Sequence, residues 1–212
     1  CTFGFLAAFA AQVTPAQAAV ISSSSAPDFA SAQLIGIGDF STAFDSNILD
    51  STTIPHVEII QLGRASEGRD FYRFSHNGGT VHLDVDSSPI TTSFDTWIGI
   101  WDAVGNLVGE MDDNGGDPGD ISGVDVGGFY NSNLSNLNLA AGDYIVGVAR
   151  YDSTFSNGGI VNGELIPVGG TYTLIISANV PEPSTLAMVG LLSCGFGFRS
   201  YRRRQERIQL QA

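Results

Sequence analysis

Between Val81 and Asp86 every second side chain is apolar: Val81, Leu83 and Val85 alternate with His82, Asp84 and Asp86. Successive side chains of an extended strand point to opposite faces, so this stretch has one oily face and one wet face. Such a segment is stable only when its oily face meets another sheet or its own continuation. The same two-residue period runs through Asp143–Tyr151. There Tyr144, Val146, Val148 and Arg150 share one face, and Ile145, Gly147, Ala149 and Tyr151 the other.

Applied along the chain, this pattern predicts strands at Val57–Leu62, Asp70–Ser75, Thr80–Val85, Trp97–Trp101, Leu107–Met111, Leu134–Leu139, Asp143–Tyr151 and Thr171–Ser177. Turn chemistry separates them at Asn77-Gly78-Gly79, Val104-Gly105-Asn106, Ala141-Gly142 and Gly169-Gly170. No helix of domain size and no internal repeat interrupts the series. The fold class expected is all-β, an antiparallel β-sandwich of jelly-roll type with about eight strands. The 26 glycines of the 212 residues suit that many tight connections.

Charge narrows the function. All nine basic residues are arginine, and five of them lie in the last 14 residues. Residues 20–180 hold four arginines against 20 carboxylates, a balance of −16. A domain that acidic repels nucleic acid and anionic lipid but attracts divalent cations. The two cysteines, Cys1 and Cys194, both lie in segments expected to be removed, which leaves no thiol or disulfide chemistry to the mature domain.

Both ends read as addresses. Residues 3–11 form a short apolar run, and Pro15 precedes Ala16-Gln17-Ala18. That is the apolar core and the Ala16/Ala18 cleavage site of a secretory signal peptide lacking its basic start. At the other end, Pro181-Glu182-Pro183 precedes 13 residues, Leu186–Phe198, of strongly apolar character. The basic cluster Arg199, Arg202, Arg203 and Arg204 follows. Thirteen residues fall short of the ~20 that span a bilayer comfortably. The segment predicts a short transmembrane helix that anchors transiently, with its arginines held in the cytoplasm.

This three-part tail closely resembles the PEP-CTERM sorting signal. The resemblance implies an exosortase as processing partner, cleavage near Pro181-Glu182-Pro183, retention by the arginine cluster, and passage through the inner membrane to the cell surface or extracellular matrix. The domain plan expected is a signal-peptide remnant (1–18), a loosely ordered lead-in with one or two short edge strands (19–56), the sandwich (57–178), the sorting signal (179–204) and a tail (205–212).

The densest chemical constellation is Asp112, Asp113, Asn114, Asp117, Asp120 and Asp125, six oxygen-bearing side chains within 14 residues. Crowded carboxylates repel, and a hard cation relieves the repulsion. Ca²⁺, with 6–8 loosely arranged oxygen ligands, fits a glycine-rich acidic loop better than octahedral Mg²⁺. The loop is not an EF-hand, because Gly116 holds its fifth position and no glutamate its twelfth. The Ca²⁺ set expected is therefore Asp95, Asp112, Asp113, Asn114, Asp117 and Asp120. A solvated acidic loop is the plain alternative. Asp102 could instead cap the Ala103–Asn106 turn.

Strand motifs carry a second resemblance. Arg69–Phe74, Val81–Asp86, Phe94–Thr96, Ile100–Leu107, Met111–Asn114, Ala141–Val148 and Gly170–Leu174 look like those of the bacterial pre-peptidase C-terminal domain. That resemblance implies a binding or accessory module without chemistry of its own, and favours a structural Ca²⁺ at Asp112–Asn114.

No catalytic motif appears. His56, His76 and His82 sit in no metal-ligand spacing, and no nucleophile elbow is present. Asp84 and Asp86 share a strand face but stand in no glycosidase pattern. The chain is expected to be a non-catalytic exported protein associated with exopolysaccharide or biofilm. A carbohydrate-binding module is the main alternative, through an outward-facing set beside the acidic loop drawn from Phe71, Tyr72, Trp97, Trp101, Phe129, Tyr130, Tyr144, Tyr151 and Tyr172, most of which are expected in the core; a secreted hydrolase is the lesser one.

Overall fold

The computed structural model describes residues 20–24, 26–45, 48, 51–87, 94–112 and 131–180. Within them lie ten strands: β1 (Val20–Ser22), β2 (Gln33–Leu34), β3 (His56–Leu62), β4 (Asp70–Ser87), β5 (Thr96–Asp102), β6 (Leu107–Met111), β7 (Ser132–Arg150), β8 (Thr154–Ser156), β9 (Gly159–Asn162) and β10 (Thr171–Ala178). One 3-10 turn, Ile37–Asp39, completes the regular structure of the described residues. The main sheet has the order β1-β3-β10-β4-β7-β5-β6, with β2 also beside β4, and β8 and β9 form a separate hairpin. All pairings are antiparallel except those of β1 with β3 and of β2 with β4.

The fold class read from the sequence holds, with one correction. Asn77-Gly78-Gly79 and Ala141-Gly142 do not reverse the chain. They are bends inside single strands, β4 of 18 residues and β7 of 19. The pairing runs through both bends together: Ser75 faces Asp143, His76 faces Gly142, Asn77 faces Ala141 and Gly79 faces Leu139. Gly78 and Gly79 take φ of 95° and 113°, values closed to most side chains, which lets β4 turn the corner without leaving its partner.

The corner divides the sheet into two leaves. One contains β1, β3, β10, the far half of β4 and the near half of β7. The other contains β2, the near half of β4, the far end of β7, β5 and β6. Val57, Ile59, Leu83, Val85, Leu174 and Ile176 of the first leaf share one buried cluster with Tyr72, Phe74, Ile98, Ile100, Val146 and Val148 of the second. The alternation legible in the sequence places all of these on inward faces, so the leaves close over a common core. Thr96 and Ser132 clamp them at one end, with the Ser132 hydroxyl donating to the Thr96 carbonyl at 2.6 Å and the Ser132 N–H to Thr96 Oγ1 at 3.0 Å.

A second, smaller core lies on the outer side of the β5–β7 leaf. Phe71, Trp101, Ile145 and Ala149 point outward there and are roofed by Phe155 of the β8–β9 hairpin and by Ala32 and Phe29 of the lead-in. The lead-in is thus built into the fold. Ala26 and Ile35 are buried, β1 and β2 pair with main strands, and the Phe71 N–H donates to the Ala26 carbonyl at 3.0 Å.

Candidate functional site

Of the residues proposed for calcium, Asp95 and Asp112 lie within the described part, and Asp113, Asn114, Asp117 and Asp120 lie outside it. Asp95 immediately precedes β5 and Asp112 immediately follows β6. Ile98 pairs with Met111, so the register carries Asp112 to a place opposite Trp97, at the same end of the hairpin as Asp95. In each of these aspartates Oδ1 is withdrawn from solvent. Two sheltered carboxylate oxygens at one strand end are the donor chemistry a hard cation takes. Among the described residues, no three of His, Cys, Asp or Glu gather as a metal-binding group.

Asp102 stands at the opposite end of the hairpin, where it caps the turn as the sequence suggests. Its Oδ1 accepts from the N–H groups of Val104 (3.0 Å) and Asn106 (2.8 Å), and its Oδ2 accepts from Asn106 Nδ2 at 2.8 Å. The Asn106 side chain, then backbone N–H groups, hold its carboxyl below the usual range.

A small depression lies on the outer face of the β3–β10–β4–β7 leaf. It is lined by His82, Asp84, Asn133, Ser135 and Ser177, with Ile48 and Ile175 as apolar walls. Cross-strand register sets it out: Ile175, Asp84 and Asn133 form one row, and Ser177 pairs with His82 in the next. His82 faces outward as expected, and its Nδ1 accepts from the Asn136 N–H at 3.3 Å. Asp86 is tied to Asn131 Nδ2 at 3.0 Å. On β3, between β1 and β10, burial raises the Glu58 carboxyl above its ordinary range, and the nearby Asp45 charge adds to the rise.

Sequence reasoning missed a buried polar node on the inner side. Arg64 and Asp70 form an ion pair with side chains almost wholly enclosed. Tyr172 donates to Asp70 Oδ2 at 2.7 Å, the Tyr72 and Tyr172 hydroxyls lie 2.5 Å apart, and Ser23 Oγ lies 2.6 Å from the Tyr72 hydroxyl. Gln61 Nε2 reaches Asp70 Oδ2 at 3.4 Å. Asp70 falls in phase with Tyr72 and Phe74, on the inward face. An acid in an inward position was the available signal, since a buried charge must have a partner.

Sequence reasoning also missed how the outer aromatic residues line up. Trp101 and Phe155 stack at 5.5 Å between centroids and 16° between planes. Phe155 and Trp97 follow at 5.6 Å and 31°, then Trp97 and Tyr151 at 6.2 Å and 21°. Four roughly parallel rings therefore run from Trp101, fully buried, to Tyr151, half exposed. Gly99 makes room for the row, because a Cβ there would stand 2.3 Å from Phe155 Cδ1 and 2.9 Å from Trp101 Cη2.

The motif residues Pro181, Glu182 and Pro183, the arginines 199, 202, 203 and 204, the short apolar span and the cleavage-site alanines 16 and 18 all lie outside the described residues. The chain separates into two units, Cys1–Val180 and Pro181–Ala212. The boundary falls directly before Pro181.

No curated protein sequence matches the chain. Among solved structures, the pre-peptidase C-terminal domain of a collagenase from Bacillus anthracis is similar, at 15% identity and a TM-score of 0.34, over 58% of this chain and 88% of that one. Residues 179–204 match the family model of the PEP-CTERM protein-sorting motif. The chain therefore carries a PEP-CTERM sorting signal, which marks it for export across the inner membrane, transient C-terminal anchoring, and processing by an exosortase before release to the cell surface.

Proposed function

We propose that this protein is a non-catalytic component of the cell surface or extracellular matrix, delivered by its sorting signal and associated there with exopolysaccharide. The observation that carries this reading is the join between sandwich and signal. Ala178 ends β10 paired with Val81, and Val180 is still buried in the main core. Pro181 begins the next unit. Cleavage at Pro181-Glu182-Pro183 takes no residue from the core, so the processed sandwich keeps its stability. A Ca²⁺ ion held in part by Asp95 and Asp112 would stiffen the loop end of the β5–β6 hairpin.

Fractionation of the source bacterium, with and without its exosortase gene, tests the delivery. With the gene, mass spectrometry finds a surface form ending near residues 181–183. Without it, or with Pro181-Glu182-Pro183 replaced by alanines, the full chain stays in the inner membrane. A chain recovered intact from the surface of exosortase-deficient cells overturns the reading.

A further inference from the structure

We propose that Tyr151, backed by Trp97, forms a docking platform for a glycan, its outer ring face stacking against the ring of an uncharged hexopyranose. This inference rests on the surface role proposed above and names the site through which it would act.

The platform is built from the ends of two paired strands. Trp97 faces Ala149 across β5 and β7, and Tyr151 is the next residue of β7's line to point the same way. One flank of the Tyr151 ring lies against Trp97, and half of the residue remains open to solvent. Behind Trp97, the stacked Phe155 and Trp101 rings prevent it from retreating inward. An aromatic face backed by a rigid stack offers the axial C–H groups of a sugar a flat, apolar, electron-rich surface.

The turn that presents Tyr151 is fixed before any ligand arrives. The Tyr151 N–H donates to the Asp95 carbonyl at 2.9 Å. Ser153 Oγ donates to the Arg150 carbonyl at 2.6 Å and lies 3.4 Å from the Glu164 carbonyl. Asp152 between them has φ of 66°, a left-handed conformation that costs energy and is kept because its surroundings dictate it. Pre-organisation of this kind lowers the entropy lost on binding.

Arg150 pairs with Glu164 at 2.6 Å, and both side chains are about half exposed, at 41% and 55%. The sign of the surrounding field selects the sugar. With a balance of −16 over residues 20–180, the domain repels a uronic or sulfated polymer, so the favoured ligand carries no charge.

The chain's two tryptophans provide the readout. Trp101 is fully buried and its Nε1 donates to the Ser156 carbonyl at 2.7 Å, so a ligand at the surface perturbs Trp97. The full chain, held in a non-glycosidic detergent, is titrated with neutral hexasaccharides of glucose, mannose and galactose, and with a hexagalacturonate. At least one neutral oligomer should shift Trp97 emission and protect it from acrylamide, and the acidic oligomer should do so less. Tyr151→Ala should weaken that binding about tenfold at an unchanged melting temperature, and Tyr151→Phe should keep it. Tight binding that survives Tyr151→Ala, preference for the acidic oligomer, or silence of every neutral oligomer overturns the platform. Delivery is scored separately by fractionation. Wild-type chain that reaches the surface but binds no neutral oligomer sinks this inference and leaves the delivery standing.

Discussion

The Tyr172 hydroxyl donates a 2.7 Å hydrogen bond to Oδ2 of Asp70, a residue 102 positions earlier in the chain. The same carboxylate pairs through Oδ1 with Arg64, and the three groups join β10, β4 and the segment after β3 at one end of the core. A charge this deeply enclosed is stable only while its partners remain. Arg64→Ala is therefore expected to cost about 3–5 kcal/mol, because it strands the Asp70 carboxylate. Tyr172→Phe should cost about 1–3 kcal/mol, the loss of its hydrogen bonds to the Asp70 carboxylate and to the Tyr72 hydroxyl. Replacing Arg64 and Asp70 together with leucine should cost less than Arg64→Ala alone. Urea unfolding measures all three, and an Arg64→Ala loss below about 1 kcal/mol would show that the pair is not sheltered.

Alkali probes the same node. Burial, followed by the charge of Asp70, holds the Tyr72 hydroxyl well above the ordinary tyrosine value. Tyr172 is raised too, first by burial and then by its neighbours Tyr72 and Asp70. Both phenols stay neutral in the folded state, whereas in the unfolded chain they ionise near pH 10. Their contribution to stability is thus complete below about pH 10 and is lost as pH climbs above it. Absorbance at the phenolate band should show two of the six tyrosines failing to titrate until the protein unfolds. A smooth titration of all six on folded protein would contradict the buried network.

Glu58 offers the opposite lever. Its carboxyl is raised mainly by burial and secondarily by Asp45. The ionised form is disfavoured in the fold, so Glu58 is most compatible with folding below its unfolded value and becomes a burden as pH rises through the folded one. Glu58→Gln should raise the melting temperature at pH 7 and leave it unchanged below about pH 4. A gain of equal size at both pH values would mean that the charge is irrelevant.

Calcium is tested by thermal melting of the full chain in detergent, in millimolar Ca²⁺ and in chelator. A micromolar site should add about 4 kcal/mol of stability in Ca²⁺. The double variant Asp95→Ala/Asp112→Ala should melt alike in both conditions. Wild type whose melting temperature ignores the chelator removes the ion from the account.

Much of the fold was legible because period-two patterning is a local signal. Val81–Asp86 and Tyr144–Arg150 each announce their inner and outer faces without reference to any other segment. The Asp102 turn was legible for the same reason, since acceptor and donors lie within four residues. The corner was not legible. A Gly-Gly pair after Asn77 reads as a reversal, and only the matching bend at Ala141, more than 60 residues on, makes it a continuous strand. The Arg64–Asp70–Tyr172 node and the aromatic row were hidden by distance as well. Phe155 sits in a three-residue strand, too short to display a period, and its value appears only where it meets Trp97 and Trp101.

The position of β10 bears on how the molecule carries load. This strand leads straight into the membrane-directed signal, so any tension on the tethered chain enters the sandwich along it. It is not an edge strand but is gripped on both sides, by β3 over Thr171–Ser177 and by β4 over Tyr172–Ala178. Force applied along a strand so flanked shears two ladders of hydrogen bonds at once instead of peeling them one by one. The geometry lets the sandwich resist pulling from the membrane until its tether is cut.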